Sequence, residues 1–367
     1  MSFDINNVTI RHFREIDAAN IPKWIFDVEG WGTSAKFFKS CFKVDPLGCF
    51  IAELPNLEII GICLGLNLSD DFAFGGSLVV RKEYRRKGVA NLLCNERLKH
   101  VQNRLFGINS IENRIATNIK SGMSYPIFTA QMLIGDVNIS ALKKTLNLIN
   151  NEKQKKKDDT IHYILFLPHL INEQLLQQII SYDERIHGIN RDIFLRSLFE
   201  NDEKIVQNNS NELDKQDIIG MLAFRFNNDI SPPITVNSNY EMKNVGNILS
   251  HLESNPIDIL GYGLIYKKYI GWNIAPLYAE NEMIALQIWL RLLSIFSGVI
   301  RVDIIIPEDK IKSQLFIMIQ NMGLKNEATI YRMYHSNKLE AGDGVNLNPN
   351  FLIQYVYGMT SSSASLV

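Results

Sequence analysis

The most restrictive feature of the sequence is one order of strand-like and helix-like segments that occurs twice. In each half a strand precedes two helical segments, three strands, an amphipathic helix, a further helix and a closing strand. This order is typical of the α/β class in its α+β form, and it predicts a mixed, mostly antiparallel twisted sheet flanked by helices for each copy. Since 367 residues exceed what one hydrophobic core usually organises, the repeat also predicts two domains.

The boundary between the two copies lies in a polar stretch. The segment NLINNEKQKKKDD, residues 147–159, is rich in lysine and asparagine and offers few groups to bury, so we interpret it as a solvated linker. The predicted organisation is an amino-terminal domain at 1–145, a linker at 146–160, a carboxy-terminal domain at 161–340 and a tail at 341–367.

The charge balance limits the partners of the chain. There are 38 Lys and Arg residues against 39 Asp and Glu residues, which gives no general footprint for nucleic acid or for an acidic membrane. The longest apolar runs are too short to cross a bilayer, and the first residues lack the pattern of a signal peptide. We therefore expect a cytoplasmic protein with neither a nucleic-acid nor a membrane partner.

The cysteines and histidines do not form a recognisable site in the sequence. The cysteine spacings match neither zinc knuckles nor a redox CxxC, so they predict buried, reduced thiols. Several histidines are separated by predicted strands and helices, so no metal site is expected. The residues concerned are Cys41, Cys49, Cys63, Cys94, His162, His169 and His187.

The stretch YRRKGVANLL, residues 84–93, combines consecutive cations with a glycine where an apolar strand meets an amphipathic helix. Cations at a helix start oppose the macrodipole, so this composition indicates a bound anion. A strand-to-helix turn also points consecutive backbone N–H groups outward, where a diphosphate can accept them. Gly88 and the small Ala90 let phosphate oxygens approach the main chain. The stretch therefore predicts a diphosphate-binding turn.

This turn and the order of segments resemble the GNAT superfamily of acyl-CoA-dependent N-acyltransferases. The pyrophosphate loop of that superfamily has the form Q/R-x-x-G-x-G/A after an apolar strand. The matching residues here are Arg85, Arg86, Lys87, Gly88, Val89 and Ala90, after Leu78, Val79 and Val80. Segments of both halves, including GYGLIYKK and IAPLYAENEMIAL, resemble a two-domain GNAT family with a degenerate carboxy-terminal domain.

The resemblance implies a reaction and the backbone N–H groups that bind the acyl-CoA. It implies transfer of an acetyl group from acetyl-CoA, as co-substrate, to a primary amine of a small molecule or peptide by direct attack in a ternary complex. The strand before the loop is expected to diverge from its neighbour, and backbone N–H groups of Leu78, Val79 and Val80 are expected to hold the thioester and pantetheine. The second copy has Asn281 and Glu282 where the loop belongs, so we expect only the first domain to bind acyl-CoA.

The proton-transfer groups are less well defined by the resemblance. The strand FAFGGSLVV lacks the glutamate that serves as base in many GNAT enzymes, which leaves Glu53 and Asp71, beside Asp70, as candidates. Asn118 occupies the position of the usual acid, a tyrosine, so Tyr125 is the candidate replacement. In the second domain, Asp183 and Arg191 match a family motif, and a buried ion pair that fixes a helix hairpin is the favoured interpretation.

Two alternatives stay open at the level of sequence. One is an N-acyltransferase that uses a longer acyl-CoA and an amino-acid acceptor. The other is a catalytically silent acyl-CoA-binding or scaffold protein, which the missing tyrosine and strand acid favour. Binding of acetyl-CoA and release of free thiol in the presence of amines distinguish these functions.

Overall fold

Both predicted copies contribute to one thirteen-stranded sheet in the computed structural model, which describes residues 3–154, 161–168, 171–200, 216–226, 257–335, 354 and 356–359. The sheet is mostly antiparallel, with parallel pairs between the fourth and fifth strands of each half, and helices flank it. The predicted fold class is therefore confirmed.

The segments of the amino-terminal half include those that the periodicity predicted, together with a fifth strand and a final helix that it did not predict. They are β1 (Thr9–His12), α1 (Ile21–Glu29), α2 (Ala35–Val44), β2 (Cys49–Glu53), β3 (Ile59–Asn67), β4 (Phe72–Val80), α3 (Val89–Val101), β5 (Leu105–Ile111), α4 (Ile115–Lys120), β6 (Phe128–Asn138) and α5 (Ile139–Gln154). Local signals set several boundaries: the Ser34 hydroxyl caps the start of α2, and Gly30 ends α1 at φ +79.

The carboxy-terminal half repeats this order. Its elements are β7 (His162–Phe166), α6 (Glu173–His187), α7 (Asp192–Phe199), β8 (Ile218–Phe226), β9 (Ile257–Lys267), β10 (Trp272–Ala279), α8 (Glu282–Ser294), β11 (Val299–Pro307), α9 (Gln314–Asn321), β12 (Lys325–Tyr334) and β13 (Val356–Gly358). Asn281 and Ser313 cap the starts of α8 and α9 with their side-chain oxygens.

The two halves exchange their closing strands. The order of strands in the sheet is β1-β2-β3-β4-β5-β12-β6-β11-β10-β9-β8-β7, with β13 beside β10. Thus β12 pairs with β5 and β6 pairs with β11, so the last strand of each half completes the sheet next to the fifth strand of the other. Neither half supplies all the strands of its own part of the sheet.

A second contact joins the halves on one face of the sheet, between α2 and α7. The rings of Phe37 and Phe194 pack edge to face with centroids 6.0 Å apart, and the hydroxyls of Ser40 and Ser197 lie 3.1 Å apart. All four residues are buried, and the aromatic pair belongs to a hydrophobic cluster with members from both halves. The halves are therefore joined by a shared core as well as by shared strands.

Two parts of the predicted organisation need correction. The stretch interpreted as a linker is helical as far as Gln154, because α5 continues from Ile139, and the rest of that stretch, residues 155–160, lies outside the described part of the chain. The tail predicted at 341–367 contains β13, whose Leu277↔Gly358 and Tyr278↔Val356 pairs join it to β10. Strand pairing decides the second case, since three residues carry little periodicity of their own.

Candidate active site

A gap opens in the sheet between β4 and β5. The two strands pair in parallel from Phe72↔Leu105 to Gly75↔Ile108, and the ladder ends there. β4 nevertheless continues to Val80 and β5 to Ile111. The backbone edges of both strands beyond this point face each other across the gap, as the resemblance to GNAT proteins implied.

A bulge directs the backbone of β4 into this gap. The β3–β4 register shifts between Ile62 and Leu64, and on β4 Ser77 adopts a φ of +47, which is uncommon for a residue other than glycine. The N–H group of Arg81 donates to the Ile60 carbonyl of β3 at 2.9 Å. Because donors alternate along a strand, the N–H group of Val80 points away from β3 and toward the gap.

The side chains of this strand segment divide between core and surface. Val79 and Val80 are buried, whereas Leu78 is 42% exposed. The predicted backbone donors thus lie on a strand that the core holds from one side. Their role toward a thioester stays a prediction.

The turn after β4 has the geometry of an anion site. Gly88 precedes α3 at φ +89, and Arg86 also has a positive φ, of +60. The first intrahelical bond runs from the Leu92 N–H to the Gly88 carbonyl at 3.1 Å, so the N–H groups before Leu92 lie outside the helical ladder. Within the described residues, no side chain caps this helix start and no acidic residue lies in its first turn.

The backbone conformation at position 88, and not crowding by neighbouring atoms, favours glycine there. Among the described residues other than its chain neighbours, the nearest atom to a Cβ built at this position is a carbon of Ile5, at 3.7 Å. The left-handed φ is the feature that favours glycine. The open space above the residue is where an anion can approach the backbone.

The three cations of the turn have different environments. Arg85 turns inward, where its guanidinium pairs with Glu29 at the end of α1 and donates from Nε to the Val80 carbonyl at 2.9 Å. Arg86 is exposed, and Lys87 Nζ lies 5.1 Å from the Phe3 ring centroid. Arg85 therefore fixes the end of β4, whereas the charges of Arg86 and Lys87 face solvent.

The corresponding gap in the second half is filled. β10 and β11 pair only at Trp272↔Val302 and Asn273↔Asp303 before they diverge. β13 occupies the space that follows: it pairs with β10, and Met359 bridges to Ile305 of β11.

The helix start of the second half is also occupied by the chain itself. The Asn281 side chain accepts from the Ile284 N–H at 3.0 Å, and Glu282 Oε1 accepts from the Leu315 N–H at 2.8 Å. Next to them, the carboxylate of Glu280 pairs with Arg185 of α6. In the first half the charges are reversed, since the turn supplies the cation, Arg85, and helix α1 supplies the carboxylate, Glu29. The carboxylates of the second half and the inserted strand both oppose the binding of a diphosphate.

The three predicted catalytic side chains lie apart from one another. Glu53 accepts from Arg11 Nη2 at 3.0 Å and lies two strands, roughly 10 Å, from β4. Asp71 precedes β4, roughly 30 Å along the strand from Val80. Tyr125 is 76% exposed between α4 and β6. Their roles stay predictions.

Asn118, which the resemblance aligns with the usual acid, makes a polar contact on β5 next to the gap. Asn118 of α4 donates from Nδ2 to the Ser110 hydroxyl at 2.8 Å, and Ser110 lies on β5 beyond the end of the β4–β5 ladder. The buried pair predicted in the second half is also present: Arg191 Nε donates to Asp183 Oδ1 at 2.8 Å, and both residues are at most 4% exposed. The Tyr262 hydroxyl donates to the same carboxylate.

Sequence reasoning missed Arg332, which strand exchange places beside the gap. It lies on β12 and is 2% exposed, and its Nε donates to Asn109 Oδ1 at 2.7 Å. Its guanidinium lies 4.5 Å from the centroid of the Phe74 ring of β4, and burial lowers the pKa of this arginine. The residue belongs to the second copy in the sequence, so only the β5–β12 pairing could reveal its location.

Across the described residues, no group of three or more His, Cys, Asp or Glu side chains could hold a metal ion. None of the helices in the described ranges has both the length and the apolar composition needed to cross a membrane.

Comparison with known families agrees with this geometry. A model of the acetyltransferase (GNAT) family matches residues 15–120, and a model of an acetyltransferase (GNAT) domain matches residues 244–344. Together they span more than half of the chain. The chain belongs to the GNAT superfamily, as a protein with two GNAT domains, and is an acyl-CoA-dependent N-acyltransferase.

Solved structures extend the similarity of the fold to nearly the whole chain. A Pyrococcus horikoshii protein assigned as an acetyltransferase is 15% identical, with a TM-score of 0.60, over 99% of this chain and 97% of its own. A tandem GNAT protein of the clavulanic acid pathway is 9% identical, with a TM-score of 0.50, over 89% and 98% of the two chains. N-myristoyltransferase from Saccharomyces cerevisiae with bound myristoyl-CoA is 9% identical, with a TM-score of 0.51, over 91% and 80%. No curated protein sequence matches the chain significantly.

Proposed function

We propose that the amino-terminal half transfers an acetyl group from acetyl-CoA to a primary amine of a small molecule or peptide, by direct attack in a ternary complex. The observation that carries this proposal is the contrast between the two gaps. The first gap leads to an uncapped helix start behind Gly88, whereas the second gap contains β13 and leads to a helix capped by Asn281. One acyl-CoA per chain is therefore expected.

The reaction needs little beyond position and polarisation. A neutral amine held about 3 to 3.5 Å from the thioester carbon attacks it, and alignment alone lowers the barrier by several kcal/mol. The Val80 N–H group, which points into the gap, is the proposed donor to the carbonyl oxygen as negative charge develops there. The C–S bond then breaks, the electron pair leaves on the coenzyme thiolate, and the ammonium proton passes to a base or to water.

Glu53 and Asp71 are the side chains to test as bases, and Tyr125 as an acid. None of them lies in the gap between β4 and β5, so a proton could reach any of them only through intervening water. Alanine variants of each residue, measured for kcat across pH, identify a proton carrier by the loss of one limb of the profile.

The closed end of the gap, at the Gly75↔Ile108 pair, favours a short acyl group. Phe74 is 1% exposed and Arg332 is 2% exposed, and together they occupy the face of the sheet next to the last β4–β5 pair. A long acyl chain would have to displace one of these buried side chains. The likeness to a myristoyl-CoA-binding structure concerns the fold alone. The side chains that fill the closed end of the gap are therefore the better guide to the length of the acyl group.

A cytoplasmic location is part of the proposal. The four cysteines are free thiols, which suits a reducing compartment.

Two measurements test the function together. Isothermal titration with acetyl-CoA is expected to give one site per chain, and a free-thiol assay over a panel of primary amines is expected to show turnover. If a longer acyl-CoA binds more tightly than acetyl-CoA, acetyl-CoA is not the donor and the longer acyl-CoA takes its place in the proposal. Binding of acetyl-CoA without turnover on any amine would instead support a silent acyl-CoA-binding protein, for which the replacement of tyrosine by Asn118 is the supporting observation.

A further inference from the structure

Two cysteines meet where helix α3 packs on strand β3. Cys63 is fully buried on β3, and Cys94 on α3 is partly exposed. The two thiols are close enough for each to affect the pKa of the other. The two residues thus lie at the same helix–strand contact, and Cys94 is the more exposed of them.

Glycines on both sides of Cys63 bring the helix and strand unusually close. A Cβ atom on Gly61 would lie 2.9 Å from Leu93 Cδ1 of α3, and one on Gly65 would lie 2.4 Å from Arg97 Cγ. Residues two apart on a strand share a face, so Cys63 lies between these two points of contact. The close approach is what a disulfide between a strand and a helix requires.

A guanidinium lies next to the sulfur of Cys94. Arg97 Nη2 is 3.4 Å from Cys94 Sγ, and Arg97 is 8% exposed. Its charge lies 5.0 Å from the centroid of the Phe106 ring, which together with Gly65 fixes its position. A buried cation at this distance favours the thiolate of Cys94, the form that reacts with oxidants.

We propose that Cys94 is a peroxide-reactive thiol and that Cys63 resolves its oxidised form as a disulfide, which makes this pair a redox modification site between α3 and β3. The pKa values agree with the geometry. The hydrogen bond from Cys63, with the charge of Arg97, lowers the pKa of Cys94 to about 6, whereas burial raises the pKa of Cys63. The greater exposure of Cys94 and its contact with Arg97 make it the attacking group, and the buried Cys63 is the resolving partner.

The two steps balance with hydrogen peroxide as the oxidant. The Cys94 thiolate attacks one peroxide oxygen, an S–O bond forms, the O–O bond breaks, and hydroxide leaves. The Cys63 thiol then attacks the Cys94 sulfur, a disulfide forms, and the sulfenic oxygen leaves as water with the Cys63 proton. The pair is oxidised by two electrons, and one peroxide is reduced to one water and one hydroxide, which takes a proton from solvent. The new bond ties β3 to the helix that begins at the Gly88 turn.

The chain contains its own control pair. Cys41 and Cys49 are both fully buried and close enough for Cys49 to affect the pKa of Cys41. Burial raises the pKa of both thiols. At neutral pH, Cys94 is expected to react at least about tenfold faster than either of them, since the thiolate is the nucleophile and exposure allows access.

The test is oxidation of the full-length protein by hydrogen peroxide at neutral pH, followed by peptide mapping. The wild type is expected to form a Cys63–Cys94 disulfide while Cys41 and Cys49 stay reduced. In Cys63→Ser, oxidation is expected to stop at a Cys94 sulfenic acid that dimedone traps, and in Cys94→Ser neither product is expected. Arg97→Met is expected to slow the first step several-fold, and Arg97→Lys to retain most of the rate.

Three results overturn the proposal. One is oxidation of Cys41 or Cys49 at the same rate as Cys94. Another is accumulation of Cys94 sulfenic acid in the wild type, which would remove the role of Cys63. The third is no product at Cys94 in the wild type, a measurement that needs no variant to fold. None of these results depends on acyl-CoA binding.

Discussion

Replacement of Gly88 by Asp and by Asn separates charge from backbone conformation at the proposed diphosphate turn. Both side chains tolerate a left-handed φ better than other residues do, so each accepts the φ of +89 at similar cost. Both also have room, because the nearest atom to a Cβ here is 3.7 Å away. The two variants therefore differ by one negative charge beside the N–H groups that precede Leu92.

The expected effects on folding and on binding have opposite signs. A carboxylate at a helix start stabilises the helix by about 0.3 to 1 kcal/mol. The same carboxylate repels a diphosphate: at about 4 Å and an effective dielectric constant of about 20, the repulsion between two unit charges is about 4 kcal/mol. With partial screening by salt, we expect a loss of about 2 to 4 kcal/mol in acetyl-CoA binding, or about 30- to 1000-fold in Kd, for Asp relative to Asn.

Calorimetric titration with acetyl-CoA measures the loss, and urea unfolding measures the stability. Gly298 provides a matched site, with a φ of +71 and no atom within 4 Å of a Cβ, and Asp or Asn there is expected to leave the affinity unchanged. The acetyl thioester of N-acetylcysteamine lacks the diphosphate, so its turnover is expected to be equal in both Gly88 variants. Equal acetyl-CoA affinities for Gly88→Asp and Gly88→Asn would refute the role of this turn.

Three further predictions concern stability. The first 145 residues alone lack β12, so they are expected to show no cooperative unfolding transition in urea; a sharp transition would contradict the need for strand exchange. Arg191→Met leaves the Asp183 carboxylate buried without its cation and is expected to lower the unfolding free energy by about 3 to 5 kcal/mol in urea titrations, and a loss below about 1 kcal/mol would argue against the pair. Burial raises the pKa of Asp45, but a hydrogen bond from His100 and others from backbone N–H groups lower it below 3.8 overall. The ionised carboxylate therefore stabilises the fold above pH 3.8, and this stability is lost as the pH falls through the folded-state pKa. Asp45→Asn is expected to flatten this part of a stability–pH series, and an unchanged slope would count against the assignment.

Much of the active-site turn is determined by local sequence. The apolar run that ends at Val80, the glycine at position 88 and the helical spacing after it predict a strand, a turn and a helix, and each is present at the predicted residues. These features are local because strand alternation, a left-handed φ and helix periodicity depend on neighbours within a few residues. The predicted cations were less informative, since sequence does not reveal that Arg85 turns toward Glu29.

The degenerate character of the second copy was predictable only in part. Asn281 and Glu282 in place of a glycine-containing loop indicated a helix start unsuited to phosphate. The Asn281 side chain does accept from an N–H group there, whereas Glu282 accepts from the Leu315 N–H at the start of α9. The insertion of β13 into the second gap was not predictable. Its three residues have too little periodicity to mark a strand, and their partners lie roughly eighty residues earlier in the chain.

Most of the order of elements, the doubled architecture and the turn at Gly88 can be predicted from local sequence, because these follow from periodicity and from the conformational limits of single residues. Which half completes which part of the sheet, the location of Arg332 of the second copy beside the first gap, and the proximity of Cys94 to Cys63 and Arg97 depend on the folded structure. Pairing of distant strands and packing of a helix on a strand depend on the free energy of the whole core. That free energy is not a property of any short segment.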